Sequence, residues 1–235
     1  MPYPLRLAFE QRLYDALLCV LLPVALLRLF WRSRTDAAYR QRIPERLGRY
    51  AGAPARVEIW LHAVSVGELL AALPLLEALR AERPRAQILV TTTTPAAARR
   101  LRERLGDSVL HAWAPWDLPC VVRRFLAHFA PRAAIVMETE LWPNQVAACH
   151  ARGIPLLLAN GRLSARSAAR YARAGALARA MLRRLHRVAA QSEADAARFV
   201  ALGVPPERIA VTGSLKWEVA LPARARERAE QLRRA

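Results

Sequence analysis

The sequence predicts an α/β protein with a Rossmann-like parallel sheet, preceded by an N-terminal membrane-anchor helix. Two observations lead to this prediction. Beyond Pro54, short apolar segments alternate regularly with longer helical ones, and strands that are apolar throughout are typical of a parallel sheet covered on both faces. Near the N terminus, every residue from Ala16 to Leu27 is apolar, which predicts a helix that meets lipid.

The N-terminal run is short for a membrane span. A full crossing needs about 20 apolar residues, and Asp15 and Arg28 bracket fewer than that. A short tilted span and a helix lying in the interface both fit, and a buried core helix is the alternative. Five arginines follow the run, which by the positive-inside rule places the rest of the chain in the cytoplasm: Arg28, Arg32, Arg34, Arg40 and Arg42. Residues 1–34 are therefore predicted to be the anchor.

The body is predicted at residues 35–220, with a charged helix at 221–235. Seven strands are expected, at 57–61, 87–92, 109–113, 133–137, 155–159, 187–190 and 209–212. Helices are expected at 67–81, 95–105, 117–129, 143–152 and 165–185, with another opening at 193. Thr94-Pro95 and the Ser192–Asp195 pair supply helix-start signals, and Asp117 is expected to cap the helix that follows it.

The composition and the absence of several motifs narrow the classes of function that the sequence predicts. The chain has 37 basic and 19 acidic residues, a net charge of +18, which favours an anionic partner. Lys216 is the one lysine among these basic residues. Three widely spaced cysteines predict neither a disulfide framework nor a zinc site. Phosphate-loop, dinucleotide, zinc-protease and nucleophile-elbow motifs are absent, so the sequence predicts no metal and no cofactor.

Polar residues gather where the predicted strands end, which is where parallel sheets bind ligands. Glu68 stands beside Gly67 at the start of a helix. A carboxylate there can accept a proton from a hydroxyl group as a general base, or it can simply complement the helix dipole. Glu138 and Glu140 follow the fourth strand, where an acidic residue can equally be bonded to backbone amides.

The remaining candidates are expected to contact substrate. His62 suits hydrogen bonding, although a lone histidine is also common as a structural residue, and Arg162 suits a phosphate or carboxylate. The full set of expected substrate-binding residues is His62, Ser65, Gly67, Thr92, Asn160, Arg162 and Ser192.

Taken together, these segments resemble the Kdo (3-deoxy-D-manno-octulosonic acid) transferases of lipid A assembly. The family-like motifs, in chain order, are HAVSVGE (62–68), TTTTP (91–95), METELWPN (137–144), NGRLS (160–164), QSE (191–193) and TGSLKW (212–217). The resemblance extends over nearly the whole chain, and the ETELWPN run is its most specific part.

The resemblance implies the N-terminal, acceptor-binding half of a GT-B glycosyltransferase. Such an enzyme transfers Kdo from CMP-Kdo to the lipid A precursor at the cytoplasmic face of the inner membrane. By resemblance, Glu68 activates the acceptor hydroxyl, and Glu138 and Lys216 stabilise the transition state. The chain ends soon after Lys216, so the domain that binds CMP-Kdo is expected to be missing and the chain alone to be inactive.

Two other interpretations remain open. A GT-B enzyme with another donor sugar would share the acceptor-side motifs. A non-catalytic domain that binds membranes or anionic lipid would share the charge and the anchor. Nucleic-acid binding is disfavoured, because the arginines are spread through nearly every helix without interleaved aromatic residues.

Overall fold

A computed structural model describes residues 3–215 and shows a seven-stranded parallel sheet flanked by helices. The strands are β1 (Ile59–His62), β2 (Ile88–Thr92), β3 (Leu110–Trp113), β4 (Ala133–Met137), β5 (Leu156–Gly161), β6 (Arg187–Ala190) and β7 (Ile209–Val211). The strand order is β3-β2-β1-β4-β5-β6-β7. The chain thus winds outward in one direction from β1 and in the other from β4, and the fold class predicted from the sequence is confirmed.

The helices are α1 (Tyr3–Arg32), α2 (Ile43–Arg46), α3 (Val66–Glu82), α4 (Pro95–Leu105), α5 (Pro119–Phe129), α6 (Pro143–Ala151), α7 (Ala165–Arg173), α8 (Gly175–Arg183) and α9 (Glu193–Ala201). Short 3₁₀ turns lie at Ala37–Arg40, Gly106–Ser108 and Pro206–Arg208. Residues 216–235, with Lys216 and the predicted charged helix, lie outside the described part.

Two apolar cores form on opposite faces of the sheet, because side chains alternate along each strand. Leu61 and Val90 pack with residues of α3 and α4 on one face. Trp60 and Leu89 pack with residues of α5, α6, α8 and α9 on the other. Helices on both faces explain why the strands are apolar throughout.

The predicted helix at 165–185 is two helices, so that prediction was wrong. Gly175 adopts a left-handed φ of 75° and begins α8, with Ala174 alone between it and the end of α7. The carboxylate of Glu10, on α1, accepts the backbone N–H of Leu177 at 2.8 Å. A long-range contact thus supplies an acceptor to the first turn of α8, where backbone donors lack partners within the helix.

Helix α1 lies against the body of the protein. Its half-buried residues recur every three or four positions, as in Leu7, Gln11, Tyr14, Leu18 and Leu22. The opposite side carries exposed apolar side chains, with Val20 72% and Leu27 68% exposed. From Pro4 to Arg32, α1 is the one helix within residues 3–215 that is long and apolar enough to cross a bilayer, with a mean hydropathy of 2.0.

Candidate functional site

The candidate site lies at the carboxyl ends of β1 and β4. These neighbours are parallel, with His62 beside Val136 in register, so the loops that follow them emerge at the same edge. The winding of the chain reverses between these two strands. A crevice opens at such a switch point in open α/β sheets, and ligands bind there.

Glu68 is held rigidly at this edge. Its Oε2 accepts the backbone N–H of Val64 at 2.8 Å, and its Oε1 accepts the Ser65 hydroxyl at 2.9 Å. Ser65 in turn accepts the N–H of Glu68 at 3.3 Å. Ser65 is the N-cap of α3, and Glu68 lies in the first turn of that helix. In this position its negative charge complements the helix dipole, which is the structural role considered for Glu68 from the sequence. Neighbouring Gly67 is exposed and leaves the backbone accessible.

Glu68 is a buried residue, with 7% of its surface exposed. Burial raises the pKa of its carboxyl group above the ordinary value, the hydrogen bonds from Val64 and Ser65 lower it, and the negative charges of Glu140 and Glu138 raise it. The net direction is upward. A carboxylate with a raised pKa is a stronger base towards a hydroxyl proton.

Glu138 follows β4 in a strained backbone conformation. Its φ is 55°, in the left-handed region that bulky residues rarely adopt, and its N–H donates to the carbonyl of Ala159 at 2.8 Å. Half-buried Glu140 has a raised pKa, through burial first and then the charge of Glu138. The structure therefore brings Glu68, Glu138 and Glu140 into one acidic group. Strain of this kind clusters at functional sites.

Asn160 has the same left-handed φ, 55°, at the end of β5. Its Oδ1 accepts the N–H of Leu215 at 3.1 Å, and its carbonyl accepts Nε2 of Gln191 at 3.1 Å. Within residues 3–215, its buried Nδ2 has no hydrogen-bond partner. Asn160 thus fixes the residue that precedes Lys216 beside the carboxyl edge of the sheet.

His62 ends β1 and is 1% exposed. Its Nδ1 lies 2.9 Å from Oγ1 of Thr91, which also accepts Nε1–H of Trp60 at 2.8 Å. Burial lowers the pKa of His62 to about 4, so the ring is neutral near pH 7. Its Nε2 has no partner among the described residues.

The other expected substrate-binding residues are Thr92, Ser192 and Arg162. Thr92 is fully buried and pairs with Nε2 of His111, on β3, at 2.9 Å. Ser192 caps α9 by accepting the N–H of Asp195 at 3.1 Å. Arg162 is exposed in the loop after β5. The structure thus brings Ser65, Gly67, Glu68 and Glu138 together and gives Thr92 and Ser192 internal partners.

Asp117 does not cap the helix after it, so that expectation was wrong. Its carboxylate accepts the N–H groups of Asn144 and Gln145, at 2.9 and 2.8 Å, and therefore caps α6. The Tyr14 hydroxyl also donates to it at 2.9 Å. Burial raises the pKa of Asp117 to about 7 in spite of these hydrogen bonds. Helix α5 instead begins with Pro119, whose missing N–H suits the first position of a helix.

A cleft, here called the α1 cleft, lies between helix α1 and the carboxyl edge of the sheet. It has a volume of about 190 Å³. Its walls are mostly apolar and come from α1, from the loop after β3 and from the start of α6: Leu18, Leu21, Leu22, Ala25, Ala114, Pro115, Trp116, Leu118 and Trp142, with His62, Thr93, Asp117 and Gln145 as polar members. No local sequence pattern predicts this cleft, because its two walls are far apart in the chain.

No group of three or more His, Cys, Asp or Glu side chains in residues 3–215 is arranged to hold a metal ion.

The fold and site define the class of protein: an α/β domain with a seven-stranded Rossmann-like parallel sheet, of the kind found in GT-B-type folds. Structural neighbours of this class include Staphylococcus aureus MnaA with UDP, at a TM-score of 0.54, 14% identity, 71% coverage of this chain and 48% of that one. The UDP-GlcNAc 2-epimerase of Neisseria meningitidis follows at a TM-score of 0.51, 12% identity and coverages of 67% and 47%. At such identities the likeness concerns the fold alone.

The sequence comparisons identify the family. The family model for 3-deoxy-D-manno-octulosonic acid transferase matches residues 41–219. The transferase of Haemophilus influenzae is 40% identical over 208 residues, 88% of this chain and 49% of its own. The transferase of Bordetella pertussis is 40% identical over 203 residues, with coverages of 82% and 46%. The chain belongs to the 3-deoxy-D-manno-octulosonic acid (Kdo) transferase family, and it spans about half the length of these curated relatives.

Proposed function

We propose that this chain forms the acceptor side of a Kdo transferase, in which Glu68 removes a proton from an acceptor hydroxyl group. The observation that carries the proposal is the position of Glu68: a buried carboxylate with a raised pKa, held by two hydrogen bonds at the switch point of the sheet. Membership in the Kdo transferase family supports Kdo as the transferred sugar.

In the proposed reaction, the acceptor oxygen forms a bond to the anomeric carbon of Kdo while the bond from that carbon to the phosphate of CMP breaks. The acceptor proton passes to Glu68, and CMP leaves with the electron pair of the broken bond. Because Val64 and Ser65 hold both oxygens of Glu68, the base is positioned before the acceptor arrives, which reduces the cost of orientation.

Glu138 and Lys216 are proposed to stabilise charge in the transition state. Negative charge at Glu138 favours the positive character that develops on the sugar ring, and a lysine favours the departing CMP phosphate. The strained backbone of Glu138 and the Leu215–Asn160 hydrogen bond support this, because they hold one residue and the neighbour of the other at the same edge. We propose that a second domain binds the donor, CMP-Kdo.

The acceptor is proposed to be the phosphorylated lipid A precursor, at the cytoplasmic face of the inner membrane. The net charge of +18 suits phosphate groups and an anionic leaflet. Helix α1 is tied to the body through Glu10, Gln11, Tyr14 and Asp15, while its other side is exposed and apolar. This arrangement favours a helix lying in the membrane interface beside the body.

Binding of the purified chain to vesicles tests the acceptor assignment. One set of vesicles carries lipid A precursor, and the other carries phosphatidylglycerol adjusted to the same surface charge. We expect tighter binding to the first set, by tenfold or more, because specific phosphate and sugar contacts add to bulk attraction. Equal binding to the two sets would contradict a specific acceptor site.

A further inference from the structure

We propose that the α1 cleft holds one acyl chain of the lipid acceptor and thereby sets the position of the acceptor sugar relative to Glu68. This inference rests on the proposed function for the identity of the acceptor. The cleft itself rests on the packing of α1 against the body.

The walls of the cleft suit a hydrocarbon chain. Leu18, Leu21, Leu22 and Ala25 of α1 form one wall, and Ala114, Pro115, Trp116 and Leu118 belong to the loop after β3 and the residue that precedes α5. The volume of about 190 Å³ exceeds the roughly 150 Å³ of an engineered apolar cavity that binds benzene. A segment of several methylene groups therefore fits.

His62 gives the cleft a polar element. The ring lines the cleft, its Nδ1 is engaged by Thr91, and its Nε2 has no partner among the described residues. A buried polar atom without a partner is costly. When Thr91 donates its hydroxyl proton to Nδ1, Nε2 carries the ring proton. It can then donate to the ester or amide carbonyl that begins an acyl chain.

The cleft also connects to the proposed base. Thr93 lines the cleft, and its hydroxyl donates to the carbonyl of Val64 at 2.9 Å. The N–H of the same Val64 donates to the carboxylate of Glu68 at 2.8 Å. Val64 therefore links Thr93, which lines the cleft, to the proposed base, and the proposal places the head group of a bound lipid on this side of the cleft.

The exposed side of α1 indicates how an acyl chain of the lipid acceptor enters the cleft. Val20, Val24 and Leu27 are 72%, 58% and 68% exposed, whereas Leu18, Leu22 and Ala25 of the same helix are half-buried along the cleft. Leu21 both lines the cleft and is 44% exposed, so the mouth of the cleft borders the exposed apolar side of α1 and is open to an acyl chain from the lipid.

The α1 cleft is expected to affect the position of the lipid acceptor more than the affinity of the protein for it. An acyl chain in a bilayer is already out of water, so its transfer to an apolar cleft gains little hydrophobic free energy. The gain lies in orientation, because a fixed chain limits the positions that the acceptor hydroxyl can take. The cleft is thus expected to select how the acceptor lies rather than how tightly it binds to membranes.

A terminally brominated octyl glycol ether, used below its micelle concentration, tests the cleft in the full chain. Bromine quenches the emission of tryptophans it touches, and Trp116 and Trp142 both line the cleft. Ala25→Phe fills the cleft, and Val24→Phe adds the same ring on the exposed side of the same helix. Ala114→Leu fills the cleft from the opposite wall.

We expect saturable quenching in the unaltered chain and in Val24→Phe, and at least tenfold weaker binding in both Ala25→Phe and Ala114→Leu. Equal quenching in all four proteins would place the probe on the exposed side of α1 and overturn the proposal. An unaltered chain without saturable quenching would also overturn it.

The deacylated acceptor glycan separates this inference from the proposed function. If only the acyl chain occupies the cleft, the soluble glycan binds the unaltered chain and Ala25→Phe equally. Weaker binding to Ala25→Phe would mean that the cleft meets the head group, which contradicts the inference. If the glycan binds neither the unaltered chain nor Ala25→Phe, the proposed function is contradicted. The octyl probe then still tests, by itself, whether the cleft binds an alkyl chain.

Discussion

The Tyr14 hydroxyl donates a 2.9 Å hydrogen bond to Oδ2 of Asp117 and so joins α1 to the body of the protein. The same carboxylate accepts the N–H groups of Asn144 and Gln145 at the start of α6. One buried side chain therefore connects the N-terminal helix, the loop after β3 and α6. These three elements supply most of the α1 cleft, so this connection holds its walls together.

Replacement of Tyr14 by Phe is expected to destabilise this connection. It removes a donor to a buried carboxylate while it keeps the ring, and such a loss costs about 1–3 kcal/mol. Chemical denaturation measures the free energy of unfolding of each variant. Tyr39→Phe is the matched control, since the Tyr39 ring contacts the Arg32 guanidinium through its face and phenylalanine keeps that face. Equal stability of the two variants would mean that the Tyr14–Asp117 bond contributes nothing.

Three substitutions of Asn160 are expected to lower the free energy of unfolding by different amounts. Asn160→Asp keeps the acceptor for Leu215 and tolerates the left-handed backbone, Asn160→Gly keeps the backbone alone, and Asn160→Ala keeps neither. The free energy of unfolding is expected to be about 1 kcal/mol lower for Asn160→Ala than for Asn160→Gly.

Hydrogen exchange at the amide of Leu215 provides the second measurement for this series. Exchange is expected to be slow with Asn or Asp at position 160 and fast with Gly or Ala, because only the first two retain an acceptor. Slow exchange in all four proteins would show that Asn160 does not hold this segment.

Removal of the charge at position 140 is expected to lower the pKa of Glu68. Burial and the charges of Glu140 and Glu138 raise this pKa, and a raised carboxyl pKa means that the proton is held until a higher pH. In Glu140→Gln, the carboxylate of Glu68 therefore forms at lower pH. Carbon NMR titration of the Glu68 carboxyl group measures the shift, with Glu77→Gln, on the exposed side of α3, as control. An unchanged titration would show that the two groups do not interact.

Much of the fold could be predicted from the sequence, because its signals are local. The apolar runs of β2 and β4 and the Thr94-Pro95 start of α4 each depend on neighbouring residues, and the structure has them within a residue or two of the predicted bounds. The Ser192–Asp195 cap was predicted for the same reason, and it is present. Alternating strands and helices then leave few topologies.

The errors arose where distant residues decide the structure. The break between α7 and α8 lies at Gly175 and involves Glu10, far along the chain. Glycine lowers helix propensity by only about 1 kcal/mol, so the Arg- and Ala-rich segment still favours one continuous helix. Asp117 precedes α5 but caps α6, because the folded chain brings Asn144 and Gln145 to it. The α1 cleft and the strained φ of Glu138 are likewise products of packing, for which no local sequence pattern exists.

The central claim, that Glu68 is the base of Kdo transfer, is tested most directly by kinetics in a chimeric enzyme with the length of the curated relatives. Residues 1–219 joined to the carboxyl-terminal half of the Haemophilus influenzae relative provide such an enzyme, and the rate of Kdo transfer from CMP-Kdo to lipid A precursor is the readout. Glu68→Gln is expected to lower this rate by about 10²–10⁴-fold, and Glu77→Gln to leave it unchanged. A Glu68→Gln enzyme that is as fast as its parent would contradict the assignment.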